Sequence, residues 1–214
     1  PDWARLLSAK ESLRSPFTWK DIIGHIFSIN SSPWNKIYRR EFIKKIGATF
    51  PEDYLMGEDI AFVFKCILLS EKNVLIKKPL YCYRVNRTGS SMTSLNKKSL
   101  EIFGPLSIIS EMMRENQHLR LVLPEYLKYK YSQYMMHFCR VGKKYRKEFF
   151  KRMKAAVQMD MELESDSMII VADDSIKSIF RGEYARYCEL VVKLIPKKSC
   201  PESLFVYQKK YKNI

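Results

Sequence analysis

Strand-forming residues are confined to one short part of this chain, and that restriction limits the folds it can adopt. The β-rich stretches Asn73–Ile76 and Leu80–Val85 flank a Lys-Lys-Pro turn, and each predicts a short strand or extended segment. From Lys97 to the end, apolar residues recur at helical spacing between breaks at glycine and proline. We therefore predict an α/β, mostly helical fold with two regions, 1–96 and 97–214.

Four helices are predicted in the first region from apolar spacing and from end signals. Arg39–Ile46 is a short helix, and Gly47 suits the left-handed position that closes a helix C-terminus. Glu58–Ser70 is predicted to be a mostly buried helix, because apolar residues recur in it at three- and four-residue spacing. These residues are Ile60, Phe64, Ile67 and Leu68. The other two predicted helices are Trp3–Arg14 and Thr18–Ile29.

Composition excludes several kinds of site. The chain has 7 Gly in 214 residues and contains neither GxGxxG nor GxxxxGK, so a complete Rossmann or P-loop nucleotide site is excluded. Its 3 His lie far apart and its 5 Cys include no CxxC pair, so no metal site is predicted from them. The odd number of Cys favours a reducing cytoplasm. The longest run without a charged residue, Ile22–Asn35, is too short to cross a bilayer.

The charge of the chain is positive and unevenly distributed. Lys and Arg number 38 against 23 Asp and Glu, a net charge of +15, which favours phosphate, nucleic acid or anionic lipid as partners. In the basic stretch Arg120–Lys154, an apolar stripe lies opposite a lysine stripe, which predicts an amphipathic basic helix. The apolar stripe is Val141, Tyr145, Phe149 and Met153, and the lysines are Lys143, Lys147, Lys151 and Lys154.

Five short motifs follow one another between residues 33 and 93. In chain order they are Pro33-Trp34-Asn35-Lys36-Ile37-Tyr38-Arg39-Arg40, Phe50-Pro51-Glu52, Gly57-Glu58-Asp59-Ile60, Pro79-Leu80-Tyr81-Cys82-Tyr83-Arg84 and Gly89-Ser90-Ser91-Met92-Thr93. Each motif alone is weak. Their order and separations closely resemble the C-terminal half of the catalytic domain of bacterial family 2 glycosyltransferases.

The resemblance implies a fold and a reaction. The fold is a partial GT-A segment, Rossmann-like with few strands, in residues 1–96, followed by an α-helical region, 97–214. The reaction is inverting transfer of a sugar from a nucleotide-diphosphate sugar to a saccharide or lipid-linked acceptor, in cell-surface polysaccharide synthesis. In the family, the Asp of the Glu-Asp pair is the general base, which corresponds to Asp59 here. Glu58 would orient its neighbours or the acceptor.

Asp59 is chemically suited to that role. Displacement at an anomeric carbon needs a carboxylate within hydrogen-bond reach of the acceptor hydroxyl, on the side opposite the leaving diphosphate. In the first turn of a helix, unpaired backbone N–H groups and the helix dipole are expected to favour its ionised form. The alternative is that Glu58 and Asp59 only complement the N-terminus of an apolar helix, which stabilises it by about 0.3–1 kcal/mol.

The resemblance also implies substrate-binding residues. Trp34, Asn35 and Lys36 would shape the acceptor side of the cleft, whereas the alternative is that Trp34 is a core residue and Asn35 a helix cap. A second group would close over the donor diphosphate, because guanidinium and hydroxyl groups suit phosphate oxygens. It comprises Tyr83, Arg84, Arg87, Ser90 and Ser91. The alternative for this group is a solvated hairpin end with incidental arginines.

The nucleotide-binding half of such an enzyme is not recognisable in the sequence. In the family, the nucleotide-binding strands and an Asp-x-Asp motif that holds a divalent cation precede the Trp-Asn-Lys motif, and only 32 residues precede Pro33. The resemblance therefore implies a fragment, inactive alone, of an enzyme that uses Mg²⁺ or Mn²⁺. Most ligands of that cation would be absent. The start at Pro1, with neither Met nor a signal-peptide pattern, is expected for such a piece.

The helical region 97–214 contains no recognisable motif. By its position, we expect it to cover one side of the catalytic domain and to contact the anionic inner membrane face, so that the protein is cytoplasmic or peripheral. Solvated helices around an aliphatic core are the alternative. Two other functions remain open. One is an inactive glycosyltransferase-derived interaction module, and the other is a basic helical nucleic-acid-binding domain with tyrosines among its basic residues, Tyr126, Tyr129, Tyr131 and Tyr145.

Overall fold

The structure, a computed structural model of the chain, describes residues 16–76, 78, 80–82, 97–163 and 174–194. These residues are mostly helical, and no β-strand occurs among them. The predicted mostly helical character is thus confirmed. The chain divides into two compact units, and each has its own buried residues.

The first unit extends from Pro1 to Lys130. Its α-helices are α1, Arg40–Lys45, α2, Glu58–Leu69, and α3, Phe103–Glu115, and a fourth helix, α4, Leu123–Arg140, begins in this unit. Short 3₁₀ helices lie between them at Trp19–Ser28, Pro33–Asn35, Lys97–Ile102 and Gln117–Val122. Helix α3 packs against α2. The predicted division at residue 96 stays a prediction, and residues 83–96 beside it lie outside the described ranges.

Helix α2 is the centre of this unit, as its apolar spacing predicts. All four of the residues that define its apolar pattern are buried, namely Ile60, Phe64, Ile67 and Leu68. Burial extends around the helix to Phe62, Val63 and Cys66, because α3 and two 3₁₀ helices all contact it. A helix that is apolar on most sides is stable only when neighbours cover it on most sides.

The two other described helices of the first region differ in how well the sequence anticipates them. Helix α1 forms as predicted, and Gly47 follows it with φ +56°, in the left-handed position. The stretch predicted as a helix over Thr18–Ile29 forms instead a 3₁₀ helix, Trp19–Ser28, with a kink at Ile22. The predicted helix Trp3–Arg14 lies outside the described residues.

Of the two alternatives predicted for Asn73–Ile76, a short strand or an extended segment, no strand forms. The segment's only ladder contact among the described residues is an antiparallel bridge, in which Asn73 N donates to Phe17 O at 2.7 Å and Phe17 N to Asn73 O at 2.9 Å. Strand propensity reflects packing on a pleated surface and needs a neighbouring strand, and Val74 and Ile76 are exposed here. Leu80–Cys82 of the second predicted strand is also irregular, and 83–85 lie outside the described residues.

The second unit extends from Tyr131 to Ile214. After the end of α4 it contains the 3₁₀ helix Lys143–Tyr145 and three α-helices: α5, Arg146–Leu163, α6, Asp174–Arg181, and α7, Tyr184–Leu194. Helix α6 packs against both α5 and α7. The core is aromatic, with Phe138 edge-on to Phe149 and Tyr187 at centroid distances of 6.0 and 5.0 Å.

The predicted amphipathic pattern of the basic stretch is confirmed. Val141, Phe149 and Met153 are buried, and Tyr145 is half-buried. On the other side Lys143, Lys147 and Lys151 are exposed and Lys154 is half-buried. Among the described residues, no helix is long and apolar enough to cross a membrane.

Candidate active site

Asp59 lies in the first turn of α2, two residues after a position that only glycine suits. Gly57 precedes the helix with φ +86°, in the left-handed region, and its carbonyl accepts a hydrogen bond from Ile60 N at 3.0 Å. A Cβ atom at residue 57 would lie 2.8 Å from Ile102 Cδ1. The Gly-Glu-Asp motif therefore has a structural reason for its first residue, because the backbone there is left-handed and the side chains of Ile102 and Pro105 lie close to it.

A second contact fixes the loop before the motif. Leu55 N donates a hydrogen bond to Glu101 Oε2 at 2.7 Å, which ties the loop to the Lys97–Ile102 helix. Nearby, a Cβ at Gly104 would overlap the ring of Tyr54, at 2.1 Å from its Cζ. Glycine at residues 57 and 104 thus lets the start of α3 and the start of α2 lie against each other. The position of Asp59 is set by this packing.

The Asp59 carboxyl is half-buried, and its pKa is raised from 3.8 to about 6. Burial is the largest cause, and the neighbouring Glu58 charge adds to it. Backbone N–H groups at the helix start and the charge of Lys36 act in the opposite direction. We expected the helix N-terminus to dominate and to favour the ionised form, and that expectation is wrong because desolvation outweighs it. A carboxylate with a pKa near 6 is ionised at neutral pH and is still a competent proton acceptor.

The Trp-Asn-Lys motif lies against the same helix. Its 3₁₀ turn, Pro33–Asn35, packs on α2. Lys36 follows the turn, and its Nζ donates to Asn30 O at 2.6 Å, Ser32 O at 2.9 Å and Asn35 Oδ1 at 2.7 Å. These bonds fix the ammonium group close enough to Asp59 for its charge to lower the pKa of that carboxyl. The predicted acceptor-side residues and the predicted base are therefore neighbours.

Trp34 is not the core residue that the structural alternative required. Its side chain is 38% exposed, and its ring stacks on Tyr81 at a centroid distance of 4.5 Å. Tyr81 itself is 54% exposed. Asn35 is not a helix cap either, because the cap position of the short turn is Ser32 and the turn ends at Asn35. The two aromatic rings form an exposed stacked pair beside the Lys36 segment.

Tyr129 is a member of the site that sequence reasoning missed. It lies on α4, outside the motif region, and the sequence interpretation placed it only in a tyrosine-rich basic stretch. Burial of its hydroxyl and the charge of Asp59 raise its pKa well above the usual range, and a hydrogen bond from Ser31 opposes this rise. No spacing signal connects residue 129 with residue 59, so only the folded structure brings them together.

The predicted donor-side group lies in a part of the chain that the structure does not describe. Tyr83, Arg84, Arg87, Ser90 and Ser91 all lie outside the described residues. The described part of the chain also contains no group of three or more His, Cys, Asp or Glu side chains suited to a metal ion. The Glu58–Asp59 pair alone does not fit the Mg²⁺ or Mn²⁺ site that the resemblance implies.

The described site is thus a half-buried carboxylate with a second carboxylate, a fixed ammonium group, a neutral tyrosine hydroxyl and an exposed aromatic pair around it. Such a group can accept a proton from a hydroxyl that binds beside it. Comparison of the chain with protein-family models, with curated proteins and with solved structures finds no match.

Proposed function

We propose that this chain is the C-terminal part of a bacterial family 2 glycosyltransferase. Residues 1–96 would belong to an incomplete GT-A catalytic domain, and 97–214 to its helical region. The activity would be inverting transfer of a sugar from a nucleotide-diphosphate sugar to a saccharide or lipid-linked acceptor, as in the synthesis of cell-surface polysaccharide.

One observation carries the proposal. The Trp-Asn-Lys motif and the Gly-Glu-Asp motif are separate in sequence, and both lie at the N-terminal end of α2, where Lys36 acts electrostatically on Asp59. The alternative, that Glu58 and Asp59 serve only to stabilise the helix, is less consistent with the burial of the Asp59 carboxyl. A carboxyl whose burial raises its pKa to about 6 destabilises the fold when it is ionised.

The proposed mechanism uses Asp59 as the general base. The acceptor hydroxyl gives its proton to the Asp59 carboxylate while its oxygen forms a bond to the anomeric carbon. The bond from that carbon to the diphosphate oxygen breaks, the nucleotide diphosphate leaves as an anion, and the anomeric configuration inverts. Glu58 would orient the acceptor, and the exposed Trp34 ring would contact the apolar face of its sugar.

The donor would be held by residues after Cys82. Arg84 and Arg87 are suited to the diphosphate oxygens, with Tyr83, Ser90 and Ser91 beside them. A Mg²⁺ or Mn²⁺ ion in the complete enzyme would neutralise diphosphate charge, with ligands from outside the described residues.

A transfer assay on the product of the complete gene tests this function. With a panel of nucleotide-diphosphate sugars, membrane lipid extract and Mg²⁺ or Mn²⁺, we expect release of nucleotide diphosphate that depends on the acceptor. The 214-residue chain alone should release none. Absence of release by the complete protein with every donor would contradict the enzymatic proposal and favour an inactive interaction module.

The lysines at the start of α5 and in the 3₁₀ helix before it support a peripheral contact with anionic membrane on the cytoplasmic side. Lys143, Lys147 and Lys151 are exposed, and the apolar side of the helix is buried in the second unit. Glu148, the acidic residue among them, is paired with Arg152 at 2.5 Å and so does not neutralise the lysines. A helix face of this kind attracts anionic headgroups without inserting into the bilayer.

Replacement of Lys143, Lys147 and Lys151 together by Gln should lower the affinity for phosphatidylserine vesicles, measured by sedimentation, by about 100-fold. Each lysine near such a surface contributes about 1 kcal/mol to binding. The matched control replaces three exposed lysines of the first unit, Lys44, Lys45 and Lys72. Equal losses for the two variants would contradict a local contact. Binding to double-stranded DNA or RNA, with no binding to vesicles, would favour the nucleic-acid alternative.

A further inference from the structure

Lys36 organises the short segment that carries Trp34. Its Nζ donates hydrogen bonds to Asn30 O at 2.6 Å, Ser32 O at 2.9 Å and Asn35 Oδ1 at 2.7 Å. A further bond, from Ser32 N to Asn30 Oδ1 at 2.7 Å, closes the start of the segment. The acceptors lie on both sides of Trp34 in the chain, so the ammonium group ties the two ends of the turn together.

These bonds engage the whole ammonium group of Lys36. A lysine ammonium has three N–H donors and no acceptor. The three oxygens that it contacts all belong to residues 30–35 of this protein. Binding to a substrate oxygen would therefore require one of these bonds to break. The arrangement instead fixes the backbone that carries the Trp34 side chain.

Trp34 and Tyr81 form an exposed aromatic surface. Their rings stack with centroids 4.5 Å apart and an interplanar angle of 29°. Trp34 is 38% exposed and Tyr81 is 54% exposed, so the stacked pair presents aromatic area to solvent. Exposed apolar area with polar groups at its rim is typical of a binding site. The C–H face of a sugar ring suits such a surface, because aromatic faces carry partial negative charge and C–H groups partial positive charge.

We propose that Lys36 is a positioning residue, which holds its turn so that Trp34 lies on Tyr81, and that the stacked pair contacts the acceptor sugar. The Pro33–Asn35 turn packs on α2, the helix that begins with the proposed base. The acceptor then rests on two rings rather than one, and the ammonium group bonds to the protein rather than to the acceptor. The contact with the acceptor rests on the proposed function, whereas the positioning stands on the hydrogen bonds and the ring contact.

Lys36→Met tests the positioning, because it nearly keeps the length of the side chain and removes the ammonium group. The readout is the indole ¹H–¹⁵N NMR signal of Trp34 in the 214-residue chain, which the ring current of Tyr81 shifts. We expect this signal to move towards its position in Tyr81→Ala, where the stack is absent. The signal of Trp19, which is 6% exposed, should stay in place and report an intact fold. Asn35→Ala removes one of the three acceptors at an exposed residue, so it should move the signal in the same direction by less.

Lys65→Met is the matched control. Lys65 lies on α2, and its Nζ donates to Gly47 O at 2.9 Å, so its replacement also removes a bond between a lysine and a carbonyl in the first unit. The Trp34 signal should keep its position in this variant. An unmoved Trp34 signal in Lys36→Met would overturn the positioning, as would equal movements in Lys36→Met and Lys65→Met. If Lys36→Met does not fold, an unmoved signal in Asn35→Ala overturns it.

The contact with the acceptor is tested in the complete enzyme at about pH 8, where Asp59 stays ionised even if loss of the Lys36 charge raises its pKa above 6. Half-maximal release of nucleotide diphosphate should need about tenfold more membrane lipid extract in Lys36→Met and in Tyr81→Ala, with kcat nearly unchanged. An unchanged half-maximal concentration in both variants would overturn this contact. A moved Trp34 signal, in a complete protein without transferase activity, would support the positioning and reject the proposed function.

Discussion

Asp59→Asn should lower the rate of glycosyl transfer by about 100- to 10,000-fold, the range that general acid–base catalysis contributes. The amide has nearly the shape of the carboxyl and cannot accept the acceptor's proton. Binding of the donor should persist, because the residues proposed for the diphosphate lie after Cys82. In the unmodified enzyme the rate should fall about tenfold per pH unit below pH ~6, as Asp59 becomes protonated.

The same substitution should raise the stability of the fold at neutral pH. The pKa of Asp59 is about 6 in the folded protein and 3.8 in the reference state, so folding favours the protonated carboxyl. Its contribution to stability is complete below pH 3.8 and is lost as the pH rises through about 6. Asparagine carries no charge to desolvate and should remove this cost. If Asp59 only stabilised the helix N-terminus, its replacement by Asn would instead lower the free energy of unfolding by about 0.3–1 kcal/mol.

Two measurements together decide the role of Asp59. The rate of nucleotide diphosphate release is measured on the complete protein, and the free energy of unfolding on the 214-residue chain in urea at pH 7 and at pH 4. Asp53→Asn is the control, because Asp53 is an exposed carboxylate in the preceding loop. Transfer near the unmodified rate in Asp59→Asn, or a loss of stability at pH 7 in that variant, would reject the assignment of Asp59 as the base.

The sequence predicts much of α2 and the end of α1, because the signals there are local. Burial of Ile60, Phe64, Ile67 and Leu68 follows from their spacing, and the end of α1 at Gly47 follows from the left-handed conformation that glycine allows. Both predictions depend on residues close together in the chain.

The remaining features depend on contacts between residues that are far apart in the chain. Asn73–Ile76 has the composition of a strand but pairs only through one bridge to Phe17, since a strand needs a partner that local sequence does not specify. The pKa of Asp59 depends on how deeply the fold buries its carboxyl, which helix position alone does not reveal. Tyr129 reaches the site because α4 returns to α2, and its sequence neighbours suggest a basic surface instead.

Phe64→Ala should be the most destabilising single truncation in the first unit. Phe64 is 0% exposed and contacts Phe27 and Tyr129 at centroid distances of 4.8 and 5.2 Å. Its removal leaves a cavity between α2, α4 and the Trp19–Ser28 helix, and such Phe-to-Ala changes cost about 3–5 kcal/mol. The measurement is the free energy of unfolding in urea. Phe50→Ala is the control, because Phe50 is 43% exposed and stacks only on Phe62 among the ring contacts described.

The control should lose about 0.5–1.5 kcal/mol, the contribution of one aromatic pair. The two variants should also differ at the site. Loss of Phe64 removes the ring that supports Tyr129 and admits water near the start of α2, so the pKa of Asp59 should fall from about 6 towards 3.8. Equal stability losses in Phe64→Ala and Phe50→Ala would show that α2 is not the centre of the unit's core.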